Sequence, residues 1–435
     1  MAHTQVNAVW SQDSAGESGQ GVWMTAEPAW TSEGLADPRD TGPIRAPLLP
    51  VDDPFYETPA NIAAIRPGEV IRSRQVELKN FWVSNHETWQ LLYRSNDLHG
   101  NPDVTVTTVV VPDKRKHARP ALLSFQCAID AVTSQCFPSY ALQKGAEASR
   151  AVAPLEFMVV RRALAKGWAV SMPDHEGLVG AWGAPREPGY RALDGIRAAL
   201  SFDELGLAPD TRIGMWGYSG GGMATSWAAE MAPTYAPELK IVGAVLGSPV
   251  GDMASTLLRL NGGLHAGLPI LVIAGLRRIY PALDRIINDH GTEAGKREIE
   301  LAATLPTLDA IRRFRNHDID DYLDIPLADA LADPGMVEML ADIRLGTHAP
   351  NTPLMVMQAI HDEVIDAADV DAQVRRYRDL GASVTYVRDL VSEHYSLLPL
   401  SGPMAISWLT HRLQGRVARD RTLTALAGQR VSFSR

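Results

Sequence analysis

The chain has 435 residues, 46% of them hydrophobic and 21% charged, with a net charge of −10, a pI near 5.7 and a mean hydropathy of −0.09. That balance excludes a fibrous or largely disordered chain and supplies enough length for a large core. It also argues against a nucleic-acid partner: the cations are scattered, and the one basic run, Lys114-Arg115-Lys116, reads as a solvated loop rather than a face that tracks phosphates.

Residues 1–50 are rich in Ser, Gly, Pro and Asp and read as an irregular N-terminal extension. Their start lacks the basic end and unbroken apolar stretch of a signal peptide, and no run of eighteen apolar residues marks a membrane span. Three segments then alternate like strands, VIRSRQVEL (70–78), TWQLLYRS (88–95) and VTVTTVVVP (104–112), and predict an antiparallel start to a sheet. ALLSFQ (121–126) is a short buried strand. Residues 154–166 have helical spacing and stop at Gly167. A strand at 168–174, a helix at 192–200, a strand at 212–217, a helix at 221–232 and a strand at 240–249 follow. This alternation predicts an α/β fold with a mostly parallel, doubly wound sheet.

From about residue 252 to 345 the pattern turns helical with few convincing strands, and the strand–helix rhythm resumes at PLMVMQAI (353–360). The break predicts a helical insertion at 252–345 within a core made of 51–251 and 346–435. The two cysteines, Cys127 and Cys136, lie nine positions apart. They allow a local disulfide or two buried thiols, and rule out a zinc finger or a C-x-x-C redox pair.

The pentapeptide Gly217-Tyr218-Ser219-Gly220-Gly221 falls between a predicted strand and a predicted helix. There the glycines permit the sharp turn that exposes a serine hydroxyl, and the helix N-terminus favours developing negative charge. A glycine-rich turn without chemistry is the bland alternative; a phosphate loop is not, since no Gly-Lys-Ser/Thr follows. A serine nucleophile needs a histidine base and an acid to orient it, in the chain order Ser, acid, His. Asp362 stands at the mouth of the strand ending near residue 360, and His394 in the loop after the strand at 383–389. Glu363 and Asp366 are rival acids deeper in the loop or helix. His265, His290, His317 and His411 read as surface or packing residues, and His361 precedes the acid.

Together with Pro173-Asp174-His175-Glu176-Gly177 and Leu193-Asp194-Gly195-Ile196-Arg197-Ala198, these motifs resemble those of the secretory lipase family of the lipase A type, in its actinobacterial branch. The resemblance runs from about residue 50 to the C-terminus. It implies the α/β-hydrolase fold, a triad of Ser219, Asp362 and His394, and an oxyanion hole using the backbone N–H of Gly220 and the region of Asp130. It further implies that 252–345 form a helical lid, that no metal or organic cofactor is needed, and that the protein is exported; the lack of a visible export signal leaves a cytoplasmic location as the alternative. Asp174 and Glu176 read as structural support, and Asp194 as a buried, hydrogen-bonded anchor. With two cysteines, the disulfides of the fungal members cannot all form. The expected function is serine carboxylic-ester hydrolysis, of the triacylglycerol lipase kind, with an ester or lipid substrate and transient contact with a lipid interface. A short-chain carboxylesterase, an acyltransferase and a non-catalytic lipid-binding protein are the alternatives.

Overall fold

The computed structural model describes residues 46–79, 86–112 and 120–426. Most of the N-terminal extension (1–45) and the run Lys114-Arg115-Lys116 lie outside the described residues. The strands are β1 (Val70–Gln75), β2 (Glu87–Asn96), β3 (Pro102–Val111), β4 (Leu122–Gln126), β5 (Ala169–Pro173), β6 (Ile213–Tyr218), β7 (Ile241–Gly247), β8 (Leu354–Ala359), β9 (Val384–Asp389) and β10 (Arg421–Ala425). The helices of the β/α part are α1 (Pro138–Ala141), α2 (Ala153–Ala165), α3 (Glu187–Ser201) and α4 (Gly220–Tyr235). Between β7 and β8 come α5 (Met253–Leu260), α6 (Gly267–Leu276), α7 (Pro281–His290), α8 (Glu293–Ala302), α9 (Thr307–Arg313), α10 (Leu327–Ala332) and α11 (Pro334–Asp342). The chain closes with α12 (Ala367–Asp379), β9, α13 (His394–Leu413) and β10.

All the strands join one sheet in the order β1-β2-β3-β5-β4-β6-β7-β8-β9-β10. β3 runs antiparallel to both β2 and β5, and every pairing from β5 to β10 is parallel. Parallel strands covered on both faces carry apolar residues at nearly every position, which is why β4, β5, β6 and β8 are buried along their whole length. The two-residue period still sorts their side chains. Leu123, Phe125, Trp216 and Met355 pack on the side of α2 and α13, with Phe157 and Trp408. Leu122, Met215 and Val356 pack on the other side, with Leu193 of α3, Trp227 of α4 and Val374 of α12.

The chain order reverses around β4: it leaves β4 towards β5, then returns past β4 to β6. Loops at the C-terminal ends of β4 and β6 therefore diverge and leave a crevice, the place where open α/β sheets hold ligands. Two elements differ from the sequence expectation. α3 starts at Glu187 rather than near 192, because Pro188 and Gly189 in its first turn mask the apolar period. β10 is a short edge strand on β9 with mostly exposed or half-buried side chains, too few of them apolar to announce it.

Candidate active site

β6 passes into α4 through Ser219, whose backbone sits at φ +54° and ψ −122°. A non-glycine residue in such a conformation costs about 1–3 kcal/mol and persists only where its surroundings enforce it. They do so here. A Cβ on Gly217 would stand 2.0 Å from the carbonyl oxygen of Gly221, and one on Gly221 would stand 2.1 Å from that of Gln126. The Ser219 N–H donates to Gly247 of β7 at 2.9 Å. The hydroxyl is thereby held at the crevice between β4 and β6.

His394 lies at the first position of α13 rather than within the loop expected from the sequence. Glu393 caps that helix, accepting from the Tyr395 N–H at 3.0 Å, while Ser396 Oγ accepts from the Glu393 N–H at 3.2 Å. Tyr218, the residue before the serine, donates its hydroxyl to the His394 carbonyl. The imidazole is fixed at both nitrogens: Nε2 is 3.0 Å from Ser219 Oγ, and Nδ1 is 2.9 and 3.0 Å from the two oxygens of Asp362. Asp362 also accepts from the N–H groups of Val364 (2.9 Å) and Ile365 (2.8 Å) and from Gln358 Nε2 (3.1 Å). Burial pushes its carboxyl up, but the His394 hydrogen bond and charge, with those two N–H groups, hold it below the ordinary carboxylate value.

The rival residues have other partners. Glu363 accepts from the His394 backbone N–H, and Asp366 caps α12 and pairs with Arg259 at 2.7 Å. His290 pairs with Asp324, His317 with Tyr322, and His411 lies in the last turn of α13. His361 is exposed. His265 is nearer the site than its sequence context suggests: its ring packs on Tyr395, beside His394, with centroids 5.7 Å apart.

Asp130 follows β4 with φ +49° and is 6% exposed. Its Oδ1 leans over Gly220, 1.8 Å from where a Cβ on that glycine would stand. Burial raises its carboxyl to about 7, with the His394 charge opposing the shift. Gly220 opens α4, so its N–H belongs to the helix end whose donors have no intrahelical acceptor. Three buried side chains hold the Cys127–Asp130 loop. Glu156 of α2 accepts from the Ala128 N–H at 2.7 Å, His175 Nε2 donates to the Cys127 carbonyl at 2.9 Å, and Thr307 of α9 donates to that of Ile129 at 3.0 Å. Burial lowers His175 to about 4, so it is neutral and can donate from one nitrogen. Asp174 ties down Ser139, accepting from its N–H at 2.9 Å and from its hydroxyl. His175 belongs to the Pro173–Gly177 motif, but Glu156 and Thr307 were not singled out from sequence; Glu156 carried a signal, sharing the i, i+3, i+4, i+7 face of Val159, Val160 and Ala163. Cys127 and Cys136 are both buried and free, so the disulfide left open by the sequence is not formed.

A cavity opens on Ser219, Gly220, Asp130 and Trp182, and is otherwise walled mainly by apolar side chains, among them Met253, Leu257 and Val272. These three also line a second, apolar cavity among the helices between β7 and β8. Among the described residues no cluster of three or more His, Cys, Asp or Glu is arranged to hold a metal, and no helix is long and apolar enough to cross a membrane. The arrangement offers a hydroxyl, an imidazole and a carboxylate in line, beside a helix N-terminus and an apolar cavity.

Comparison with known proteins gives this geometry a context. A model of the secretory lipase family matches residues 142–421. A protein of Mycobacterium tuberculosis named as a probable inactive lipase is 51% identical over 86% of this chain and 84% of its own. Lipase A of Arthroderma benhamiae is 35% identical over 85% of this chain and 81% of its own. The closed-state crystal structure of Candida antarctica lipase A superposes with a TM-score of 0.81 at 27% identity, covering 88% of this chain and 91% of that one. The fold is that of the α/β-hydrolases.

Proposed function

The chain belongs to the secretory lipase family, and from that premise we propose that it is a serine carboxylic-ester hydrolase of the triacylglycerol lipase kind, acting through Ser219, His394 and Asp362. The observation that carries the reading is the unbroken contact from Ser219 Oγ to His394 Nε2 at 3.0 Å and from Nδ1 to Asp362 at 2.9 Å.

Ser219 Oγ attacks the acyl carbonyl carbon as its proton passes to His394 Nε2. Asp362, kept ionised by its donors, fixes the proton on Nδ1 and stabilises the imidazolium. The oxygen that gains charge lies against the N–H of Gly220 and the Asp130 region, which act as the oxyanion hole. Collapse expels the alcohol, protonated by His394, and leaves an acyl-enzyme. Water, deprotonated by His394, then releases the carboxylic acid. The helices of residues 252–345 act as the lid on a core of 51–251 and 346–435, and their apolar side chains receive the acyl chain. The secretory character of the family supports an exported protein.

The name of the Mycobacterium relative raises a second reading, a lipid-binding protein without catalysis. Against it stand the presence and bonding distances of all three side chains here. Turnover of p-nitrophenyl esters and triacylglycerols across a chain-length series tests the choice. Wild-type hydrolysis lost by several orders of magnitude in Ser219→Ala supports the enzyme; equal rates in the two proteins sink it. The same series separates lipase from short-chain esterase, and added alcohol reveals acyl transfer.

A further inference from the structure

Trp182 lies between β5 and α3, five residues beyond the Pro173–Gly177 motif, and is 5% exposed. Its indole N–H has no acceptor among the described residues. A buried donor without a partner is costly, so one that is retained calls for a partner that comes and goes. Its position indicates which. A Cβ built on Gly220 would stand 3.2 Å from Trp182 Nε1, and both residues line the cavity that holds Ser219. The indole nitrogen therefore stands beside the first residue of α4, on the wall of the cavity that holds Ser219.

This placement is enforced from two sides. The Trp182 backbone N–H donates to Gly180 at 2.9 Å, and the Ala181 N–H to Glu176 at 3.2 Å. From the other side α6 rests on the same residue: a Cβ on Gly275 would stand 2.8 Å from both the backbone nitrogen and the carbonyl oxygen of Trp182. The helices between β7 and β8 thus help to set where the indole sits.

An indole N–H can only donate. A fatty ester carries acceptors only at its ester group, and with the carbonyl carbon on Ser219 Oγ the oxygen beside Gly220 is the acyl carbonyl oxygen. We propose that Trp182 is a further donor to that oxygen, its indole N–H joining the backbone N–H of Gly220 around the oxyanion. The assignment rests on the reading of Ser219 as the nucleophile. As the Oγ–carbon bond forms, the carbonyl π pair moves to oxygen and the hydroxyl proton goes to His394. Trp182 keeps its proton throughout and only shortens a hydrogen bond. The neighbouring acceptor, Asp130 Oδ1, also has no partner among the described residues and makes no bond with the indole.

The test uses Trp182→Phe and, because the smaller ring also changes the packing, Trp182→benzothienylalanine, which keeps the indole shape and replaces N–H by sulfur. kcat and KM for a p-nitrophenyl ester are measured from pH 5 to 9, with the melting temperature as the check on folding. In both variants kcat should fall by about 10²-fold, with KM changed by less than about threefold and the pH limbs unmoved. A benzothienylalanine variant with kcat within about threefold of wild type overturns the assignment. So does an unchanged kcat plateau with a displaced limb near pH 7, which would give the N–H to Asp130. A wild-type protein that turns over no ester sinks the hydrolase reading itself, and this one with it.

Discussion

Replacing Asp362 with Asn changes one atom and tests why the imidazole is held as it is. In the wild type Oδ1 takes the N–H groups of Val364 and Ile365, and Oδ2 takes Gln358 Nε2. The amide oxygen of the introduced asparagine would stay on the two backbone donors, leaving its NH₂ where Oδ2 stood, 2.9 Å from His394 Nδ1. Nδ1 would then have to accept, which puts the ring proton on Nε2, facing Ser219 Oγ. That tautomer cannot take the serine proton. A triad with this fault loses about 10⁴ in kcat, equal to about 5.4 kcal/mol in the barrier. The ground-state cost is smaller: the new NH₂ opposes the Gln358 amide, and one spoiled buried polar contact costs about 1–3 kcal/mol. The assay is kcat for a p-nitrophenyl ester at 25 °C and pH 7.5, with circular dichroism to show that the variant is folded. A folded Asp362→Asn protein within tenfold of wild type would mean that Asp362 does not set the His394 tautomer.

Gly220→Ala drives a methyl into Asp130 Oδ1 and toward the Trp182 nitrogen, so kcat should drop by about 10²-fold with the far end of the acyl cavity untouched, checked by an unchanged rank order across ester chain lengths. Asp130, raised to about 7 by burial, is neutral below that pH and an anion above it. An anion there opposes the oxyanion, so its ionisation should make kcat/KM decline as pH rises through about 7, and Asp130→Asn should remove that component. Stability carries the same sign: the raised group favours the fold most fully below about pH 4, where the unfolded carboxyl is still protonated. That favour is lost as pH climbs to about 7, and Asp130→Asn should flatten that part of the melting curve against pH. Asp194 is fully buried and accepts from Ser95 (2.7 Å), Tyr235 (2.7 Å) and Arg197 (2.8 Å). Asp194→Ala strands the Ser95 and Tyr235 hydroxyls, while Arg197 keeps Glu238 and the Tyr235 carbonyl, and should cost about 1–3 kcal/mol in urea unfolding with kcat near wild type.

The α/β class was legible because the parallel strands of the centre are apolar at almost every position, and because the helices between them keep a clean apolar face. Ser219 was legible because glycines on both sides are demanded by close backbone approach, which leaves a mark in the sequence. Asp362 and His394 were found through chain order and strand ends, a rule about topology rather than about their immediate neighbours. The walls of the site were harder. Thr307 reaches the Cys127–Asp130 loop from 178 residues beyond Ile129, and no local pattern announces such a contact. Nothing in its local sequence marks Trp182, whose place is set by the packing of α6 on its backbone. β10 escaped for the opposite reason, being an exposed edge with too little apolar character to read.

The central claim is that Ser219 becomes acylated by an ester and is then freed by water. Mass spectrometry of the protein after reaction with a p-nitrophenyl alkylphosphonate tests it directly, since that reagent stops at the tetrahedral covalent stage. One adduct per chain is expected, mapped to the peptide that contains Ser219, appearing as esterase activity disappears and absent in Ser219→Ala. Loss of activity with the adduct on another residue, or full activity with Ser219 unlabelled, would contradict it.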